Sequence, residues 1–256
     1  MTTLTLPRGA ALIFGGSGGL GRGVAAAFAR AGSSVALCYH SRRAAAEEAV
    51  AELRELGVKA GAHQVDARDE TAVRRVVAEA CGEHGRVHTL VWGAGPVVDQ
   101  IPLADTSPER YRHSVEVEAL GMFTAVHALL PHLREHGGSL VHLGSAGDSW
   151  FPADDGLSVL PKAANEALVR GIAKEEGRHG VRANSVLVGV IDAGMFRDLK
   201  ERGVVDAEWE ARARELVPMR RWGSADDIGH TAVFLASEQA GYITGQQISV
   251  SGGFGV

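Results

Sequence analysis

The stretch of the sequence best suited to bind a ligand is a run with five glycines between Phe14 and Arg22. The apolar run Ala10–Phe14 before it has the length of a buried strand, and Leu20–Arg30 after it predicts a helix. Glycines let the backbone approach a phosphate closely, and a helix N-terminus offers unpaired N–H groups with a partial positive charge. The order of strand, glycine turn and helix therefore predicts a site for a dinucleotide pyrophosphate. Its candidate contacts are Gly15, Ser17, Gly18, Gly19, Leu20 and Gly21.

The end of the second predicted strand, Ser33–Tyr39, indicates which dinucleotide is bound. Folds specific for NAD place an Asp or Glu at this tip to hold the adenosine ribose hydroxyls. This chain has no acid there, and His40, Ser41 and Arg42 follow the strand instead. A carboxylate would repel a 2′-phosphate, whereas Ser41 and Arg42 could donate hydrogen bonds to it. The sequence therefore predicts NADP(H); the alternative is that Arg42 and Arg43 are a solvated helix start.

Composition and charge exclude several classes of protein. The net charge of −5 and the absence of a basic stripe argue against nucleic acid as a partner. Cys38 and Cys81 are far apart in apolar segments, which predicts reduced, structural thiols and neither a disulfide framework nor a metal site. No apolar run is long enough to span a membrane, and the polar start MTTLTLPRG does not fit a signal peptide. We therefore expect a cytoplasmic protein without a membrane partner.

Strand-like and helix-like segments alternate along the whole chain, so residues 1–256 are predicted to form one α/β domain. This alternation favours a ligand site over a mere tight connection at the first glycine turn. The further strands are predicted at Ala60–Val65, Val87–Trp92, Ser139–Leu143, Val181–Val188 and Gln246–Val250. The further helices are predicted at Ala44–Leu56, Glu70–His84, Ser107–Arg134, Leu157–Arg178 and Ala225–Ser237, with a polar helical insertion near Met195–Val217.

Several motifs resemble those of the short-chain dehydrogenase/reductase family, most closely its 3-oxoacyl carrier protein reductases. Besides the glycine turn, they are Leu90-Val91-x-x-Ala94-Gly95, the spacing from Ser145 to Lys162, Arg182-Ala183-Asn184-Ser185-Val186, and Phe234-Leu235-Ala236-Ser237 with Thr244-Gly245 and Gly252-Gly253. The resemblance implies a Rossmann fold: a doubly wound parallel sheet of about seven strands with helices on both faces. It also implies further cofactor contacts from Asp66, Ala67, Gly93, Ala94, Gly95, Lys162, Gly189 and Ile191.

The family resemblance implies four catalytic side chains, and two of them are changed here. Ser145 matches the Ser that polarises a carbonyl, and Lys162 matches the Lys that holds the nicotinamide ribose. Ser158 stands where the family has its proton-donating Tyr, and Glu118 stands where the family has an Asn. An aliphatic hydroxyl is a far weaker acid than a phenol, whose pKa is about 10. The dienoyl-CoA reductases of the family have the same Ser-x-x-x-Lys pattern.

Three functions follow from this departure. The first is conjugate reduction of an enone or enoyl thioester, which leaves an enolate that needs hydrogen-bond donors more than a strong acid. The second is an atypical carbonyl reductase or alcohol dehydrogenase that moves a proton through water or a carboxyl group. The candidate carboxyl groups are Glu118, Asp148, Asp154 and Asp155. The third is an NADP-binding protein without turnover.

Some of these residues also have purely structural interpretations. Ser158 could serve the first turn of its helix, Glu118 could simply pair with Lys162, and Trp92 is interpreted as a packing residue. The near-helical spacing of His127, His132 and His136 favours a surface or subunit face over a metal site. The family resemblance implies a homotetramer or homodimer formed by the two long helices. The apolar positions that support it are Phe123, Val126, Leu130, Ala163, Ala167 and Leu168.

Overall fold

The fold is centred on one sheet of seven parallel strands in a computed structural model that describes residues 4–256. The strand order is β3-β2-β1-β4-β5-β6-β7. The strands are β1 (Ala10–Phe14), β2 (Ser34–Tyr39), β3 (Ala60–Gln64), β4 (Val87–Trp92), β5 (Gly138–Ser145), β6 (Val181–Val188) and β7 (Gln247–Val250). Helices cover both faces, because each strand is joined to the next by a crossover. The predicted Rossmann architecture is confirmed.

Nine helices connect these strands within the described residues. They are α1 (Gly19–Arg30), α2 (Arg43–Glu55), α3 (Glu70–His84), α4 (Pro108–Val115), α5 (Gly121–His136), α6 (Gly156–Glu176), α7 (Met195–Glu201), α8 (Ala207–Glu215) and α9 (Ala225–Ala236). Most predicted boundaries agree within one or two residues. The insertion is a pair of short helices, α7 and α8. No helix in residues 4–256 has both the length and the apolar character that a bilayer crossing requires.

The inner strand β1 contributes side chains to both layers of the core. Its side chains alternate, so that Ala11 and Ile13 pack on one face while Leu12 and Phe14 pack on the other. All five residues of β1 are buried, which explains the continuous apolar run in the sequence. Both cysteines are free, and burial raises the pKa of the Cys38 thiol. The chain reverses its direction of winding between β1 and β4, and that reversal opens a crevice at the carboxyl ends of the strands.

The prediction of one long helix over Ser107–Arg134 was wrong in one respect. A π-helical turn at Glu116–Leu120 separates α4 from α5. Such turns rotate side chains away from the regular helical position and occur often at functional sites. Here the turn points the buried Glu118 toward the crevice, as described below.

Strand β5 is longer than the predicted Ser139–Leu143 and ends at Ser145. Ser145 therefore lies at the carboxyl edge of the sheet, where the crevice opens. Among the positions predicted to support assembly, Val126 belongs to the core, whereas Phe123 is exposed on α5. The oligomeric state stays a prediction.

A buried pair of polar side chains links β5, α6 and β7. His142 Nδ1 lies 2.9 Å from Glu166 Oε1, and the amide of Gln247 donates to Glu166 Oε2 at 3.0 Å. His142 and Glu166 are both inaccessible to solvent. Burial alone would raise the pKa of Glu166, but its hydrogen bonds with His142 and Gln247 outweigh burial and hold the pKa below its ordinary value.

Replacing Glu166 by Gln should lower the free energy of unfolding by ~2 kcal/mol at neutral pH, because the partners of a buried carboxylate are left imperfectly paired. Since the folded-state pKa is depressed, the stabilisation is present above the unfolded pKa of about 4.3 and is lost as pH falls through the folded value. Urea denaturation at pH 7 and pH 4 should therefore show that the free energy of unfolding falls less between the two pH values in Glu166→Gln than in the wild type. Glu175→Gln, at an exposed position of the same helix, is the control. If the free energy of unfolding falls as much with pH in Glu166→Gln as in the wild type, the carboxylate of Glu166 does not provide this stabilisation.

Candidate functional site

A cleft of about 1060 Å³ lies at the carboxyl edge of the sheet. It runs from the end of β2, across the glycine turn after β1, to the ends of β5 and β6. All residues predicted to bind cofactor or to act in catalysis line this one cleft. They are Gly15, Ser17, Gly18, Gly19, Leu20, Gly21, His40, Ser41, Arg42, Asp66, Ala67, Gly93, Ala94, Gly95, Glu118, Ser145, Ser158, Lys162, Gly189 and Ile191. Their individual roles stay predictions.

The glycine turn leaves no room for side chains at its tightest points. Gly15 has a φ of +78°, and a Cβ atom there would lie 2.3 Å from the carbonyl oxygen of Gly93. A Cβ atom on Gly21 would lie 2.3 Å from the carbonyl oxygen of Gly15. Gly18 precedes α1, and no side chain in residues 4–256 caps this helix start. The first N–H groups of α1 therefore face the cleft, and this cradle fits the pyrophosphate of a nicotinamide dinucleotide.

Cationic groups surround the adenosine end of the cleft. The Arg42 guanidinium lies over the glycine turn, 3.5 Å from where a Cβ atom on Gly18 would be, and has no ion-pair partner within the described residues. Asp66, predicted to touch the cofactor, lines the cleft and accepts hydrogen bonds from Arg68, and these hydrogen bonds lower the pKa of its carboxyl group to about 2. The sequence analysis missed Arg68, which lines the cleft. Arg43 begins α2 and pairs with Glu47 at 2.8 Å.

An ion pair occupies the centre of the cleft. Lys162 Nζ on α6 donates to Glu118 Oε2 at 2.8 Å, and the indole of Trp92 donates to Glu118 Oε1 at 3.2 Å. The amide of Asn165 donates to the backbone carbonyl of Glu118 at 3.2 Å, which fixes the π-helical turn against α6. A Cβ atom on Gly95 would lie 2.4 Å from Glu118 Oε2, so a side chain there would displace this carboxylate. The ion pair expected as a structural alternative is present.

Two hydroxyl groups line the same cleft as this ion pair. Ser145 ends β5, and its oxygen accepts the backbone N–H of Gly147 at 3.1 Å. Ser158 lies one helical turn before Lys162 on α6, so the two side chains share a helix face. None of the chain's three tyrosines is placed beside them: Tyr39 ends β2, Tyr111 lies on α4 and Tyr242 is fully exposed. The cleft therefore offers hydroxyl donors but no phenol next to Lys162.

The four carboxyl groups considered as proton carriers are in different surroundings. Glu118 is engaged by Lys162 and Trp92. Asp148 accepts from Gln247 at 3.0 Å and does not line the cleft. Asp154 is exposed and has a φ of +66°. Asp155 is half-buried in the cleft, and burial raises the pKa of its carboxyl to about 6.

Aromatic side chains line the outer half of the cleft. Phe196, Trp209 and Trp222 form one cluster, with ring centroids 5.7 to 6.4 Å apart. On the opposite side Trp150 packs edge-to-face on Phe254, with centroids 4.9 Å apart. The sequence analysis considered a wall only at Trp150 and Phe151; the C-terminal Phe254 and the aromatic residues of α7 and α8 were missed. The chamber favours a substrate with a sizeable apolar part.

The chain is similar to known reductases over almost its whole length. The family profile described as enoyl-(acyl carrier protein) reductase matches residues 15–255. The chain is 30% identical over 244 residues to the 3-oxoacyl-(acyl-carrier-protein) reductase FabG of Staphylococcus epidermidis, a match that covers 95% of this chain and 97% of FabG. A short-chain type dehydrogenase/reductase from Mycobacterium ulcerans superposes with a TM-score of 0.91 at 29% identity, covering 98% of this chain and 90% of the other.

Two further solved structures contain a nicotinamide cofactor. A blue fluorescent protein from a metagenomic library, in complex with NADPH, has a TM-score of 0.87 and 28% identity and covers 97% of this chain and 99% of its own. A 7 alpha-hydroxysteroid dehydrogenase, complexed with NADH and 7-oxo glycochenodeoxycholic acid, has a TM-score of 0.90 and 29% identity. That match covers 98% of this chain and 96% of the other. Both cofactors thus occur among structures with this fold.

Removing the carboxylate of Glu118 should destabilise the protein. We expect Glu118→Leu to lower the free energy of unfolding by about 3 kcal/mol, because it leaves the ammonium of Lys162 partly buried without its partner. Glu118→Gln should cost less, since it still accepts from the indole of Trp92. Chemical denaturation followed by tryptophan fluorescence measures both, with Glu116→Gln in the same turn as the control. Equal stability of Glu118→Leu and wild type would contradict the role of this pair.

Proposed function

The chain belongs to the short-chain dehydrogenase/reductase family, and on that premise we propose that it is an NADP(H)-dependent oxidoreductase that reduces a conjugated enone or enoyl thioester. The observation that carries the proposal is that the hydroxyl groups of Ser145 and Ser158 line the same cleft as Lys162, whereas no tyrosine of the described chain lines that cleft next to Lys162. Bound NADPH supplies the hydride for such a reduction. The residues of the chain must then bind the cofactor and stabilise the charge that develops on the substrate.

Hydrogen-bond donors are the first requirement for conjugate reduction. Hydride arriving at the carbon farthest from the carbonyl group leaves negative charge on the enolate oxygen. The hydroxyls of Ser145 and Ser158 are the donors that line this part of the cleft. A hydroxyl does not have to lose its proton to stabilise an enolate, so the weak acidity of serine matters less here than in direct reduction of a ketone. This difference favours conjugate reduction over carbonyl reduction.

Lys162 supports the proposal through binding. Its ammonium has three N–H donors, of which one goes to Glu118. The other donors are free to hold the nicotinamide ribose, as the family resemblance implies. Because Glu118 balances its charge, Lys162 contributes less positive potential to the substrate than an unpaired lysine would. The site therefore depends on directed hydrogen bonds.

The preference for NADP(H) is supported by the charges at the end of β2. No acid follows Tyr39, and the guanidinium of Arg42 lies over the glycine turn with Ser41 beside it in sequence. A 2′-phosphate placed there would meet a cation with unused donors. Carbonyl reduction and cofactor binding without turnover are the competing functions.

Arg42→Ala should weaken NADPH binding by about tenfold and leave NADH binding nearly unchanged, because only the contact with the 2′-phosphate is lost. Fluorescence titration of both cofactors measures the two dissociation constants. Arg43→Ala is the matched control, since that guanidinium is paired with Glu47 on α2. Equal affinities of the wild type for NADPH and NADH would refute the preference.

Ser158→Tyr should reduce turnover of an enone, because the added ring takes the space of the substrate beside Ser145 and Lys162. If the chain is instead a carbonyl reductase, the same change should alter the pH dependence of ketone reduction, because the rate would then follow the ionisation of the new tyrosine phenol. Lys162→Ala should abolish turnover in either case through loss of ribose positioning. Steady-state kinetics of the three proteins with one enone and one ketone separates these outcomes. The wild type could bind NADPH tightly and still turn over neither compound. If it also turns over no member of a wider panel of ketones, enones and enoyl thioesters, the non-catalytic function is favoured.

A further inference from the structure

The reduction of a conjugated carbonyl compound consumes one proton as well as one hydride. Five carboxyl groups line the cleft, namely those of Asp66, Glu118, Asp154, Asp155 and Asp198. Asp66 is bound by Arg68 at the adenosine end, and Glu118 is bound by Lys162 and Trp92. Asp154 is exposed to solvent at the end of the loop that precedes Asp155. Asp198 lies on α7, away from the helix that carries Ser158 and Lys162.

Asp155 differs from the other four in its place on that helix. It precedes α6 directly, and its backbone carbonyl accepts the N–H groups of Ser158 at 3.1 Å and Val159 at 3.0 Å. Ser158 follows it by three residues and Lys162 by seven, and all three residues line the cleft. The backbone hydrogen bonds hold Asp155 at the start of α6, within one helical turn of Ser158 along the chain. Its carboxyl group therefore belongs to the same part of the chain as the hydroxyl of Ser158 and the ammonium group of Lys162.

The surroundings of Asp155 favour its protonated form. Burial raises the pKa of the carboxyl to about 6, while the charge of Lys162 and the side chain of Gln100 partly oppose the shift. In the loop packed against α6, Asp99 is neutralised by Arg110 at 3.4 Å and Arg202 at 2.9 Å. His113 of α4 and the exposed Asp154 are the other titratable groups on this side of the cleft. A carboxyl group that titrates near neutral pH is suited to give and regain protons.

We infer that Asp155 is the proton donor of this site, acting on the substrate oxygen through the hydroxyl of Ser158 or one water molecule. This inference rests on the proposed function. The hydride brings two electrons to the far carbon, and the π pair moves onto the carbonyl oxygen. That oxygen takes the proton of the relaying hydroxyl or water, whose oxygen takes the proton of Asp155 as the carboxyl O–H bond breaks. The enol product becomes the saturated carbonyl compound in water. Asp155, left as a carboxylate, regains a proton from solvent because it is only half-buried.

Substitution of Asp155 tests the inference through the pH profile. In the wild type, kcat for reduction should fall as pH rises above about 6, since the donor must be protonated. Asp155→Asn should lower kcat by roughly 100-fold and abolish this pH dependence, with the dissociation constant of NADPH unchanged. Asp155→Glu should recover part of the rate with the pH dependence restored. Asp148→Asn, whose carboxyl group lies outside the cleft, should retain the profile of the wild type.

A measurement without turnover separates this inference from the proposed function. Carbon-13 NMR of the aspartate carboxyl groups in the protein without cofactor should show one titration near pH 6 that is missing from Asp155→Asn. A carboxyl group of Asp155 that titrates near pH 4, or an Asp155→Asn variant that keeps the pH dependence of kcat, overturns the inference and leaves the reductase function intact. Absence of turnover with enones, enoyl thioesters and ketones alike overturns the function itself, and the donor role with it.

Discussion

The arrangement of the cleft depends on the ion pair between Lys162 and Glu118. Two opposite charges removed from water are stable only when good geometry and further hydrogen bonds offset the cost of desolvation. Here the indole of Trp92 satisfies the second carboxylate oxygen, and the amide of Asn165 holds the backbone of the same residue. The carboxylate can reach Lys162 because a π-helical turn interrupts the helical segment that carries it. One local departure from regular helix geometry thus joins β4, the α4–α5 segment and α6 at a single point.

The sheet determines which residues can meet at that point. The strands are parallel, so their carboxyl ends share one edge, and the reversal of winding between β1 and β4 keeps that edge open. The glycine turn follows β1, Trp92 ends β4 and Ser145 ends β5, which brings them together although they are far apart in sequence. The two layers of the core fix the strands that carry these groups. Fold and site are therefore linked through strand ends, while the substrate chamber is built from less regular segments.

The parts that the sequence predicted well are those with a local physical signature. An uninterrupted apolar run followed by glycines predicts β1 and its turn, and the absence of an acid after Tyr39 can be read directly from the sequence. The π-helical turn was missed, because the apolar periodicity of Ser107–Arg134 continues through it and an extra residue in one turn leaves no mark in composition. The ion pair between Asp66 and Arg68 likewise leaves no recognisable pattern in the sequence. The contact of Trp150 with Phe254 joins residues about a hundred positions apart, so no local sequence pattern could predict it.

The pairing of Lys162 with Glu118 bears on the acidity of the other carboxyl groups in the cleft. An unpaired ammonium stabilises the charged form of nearby acids and so lowers their pKa. With Glu118 balancing Lys162, that influence is weaker, and burial becomes the largest effect on Asp155. The aromatic side chains of Trp150 and Trp209 line the same cleft and add apolar surface to it. Burial of Asp155 and the neutralisation of Lys162 by Glu118 therefore act in the same direction, because each favours the protonated carboxyl group in the cleft that Ser145 and Ser158 line.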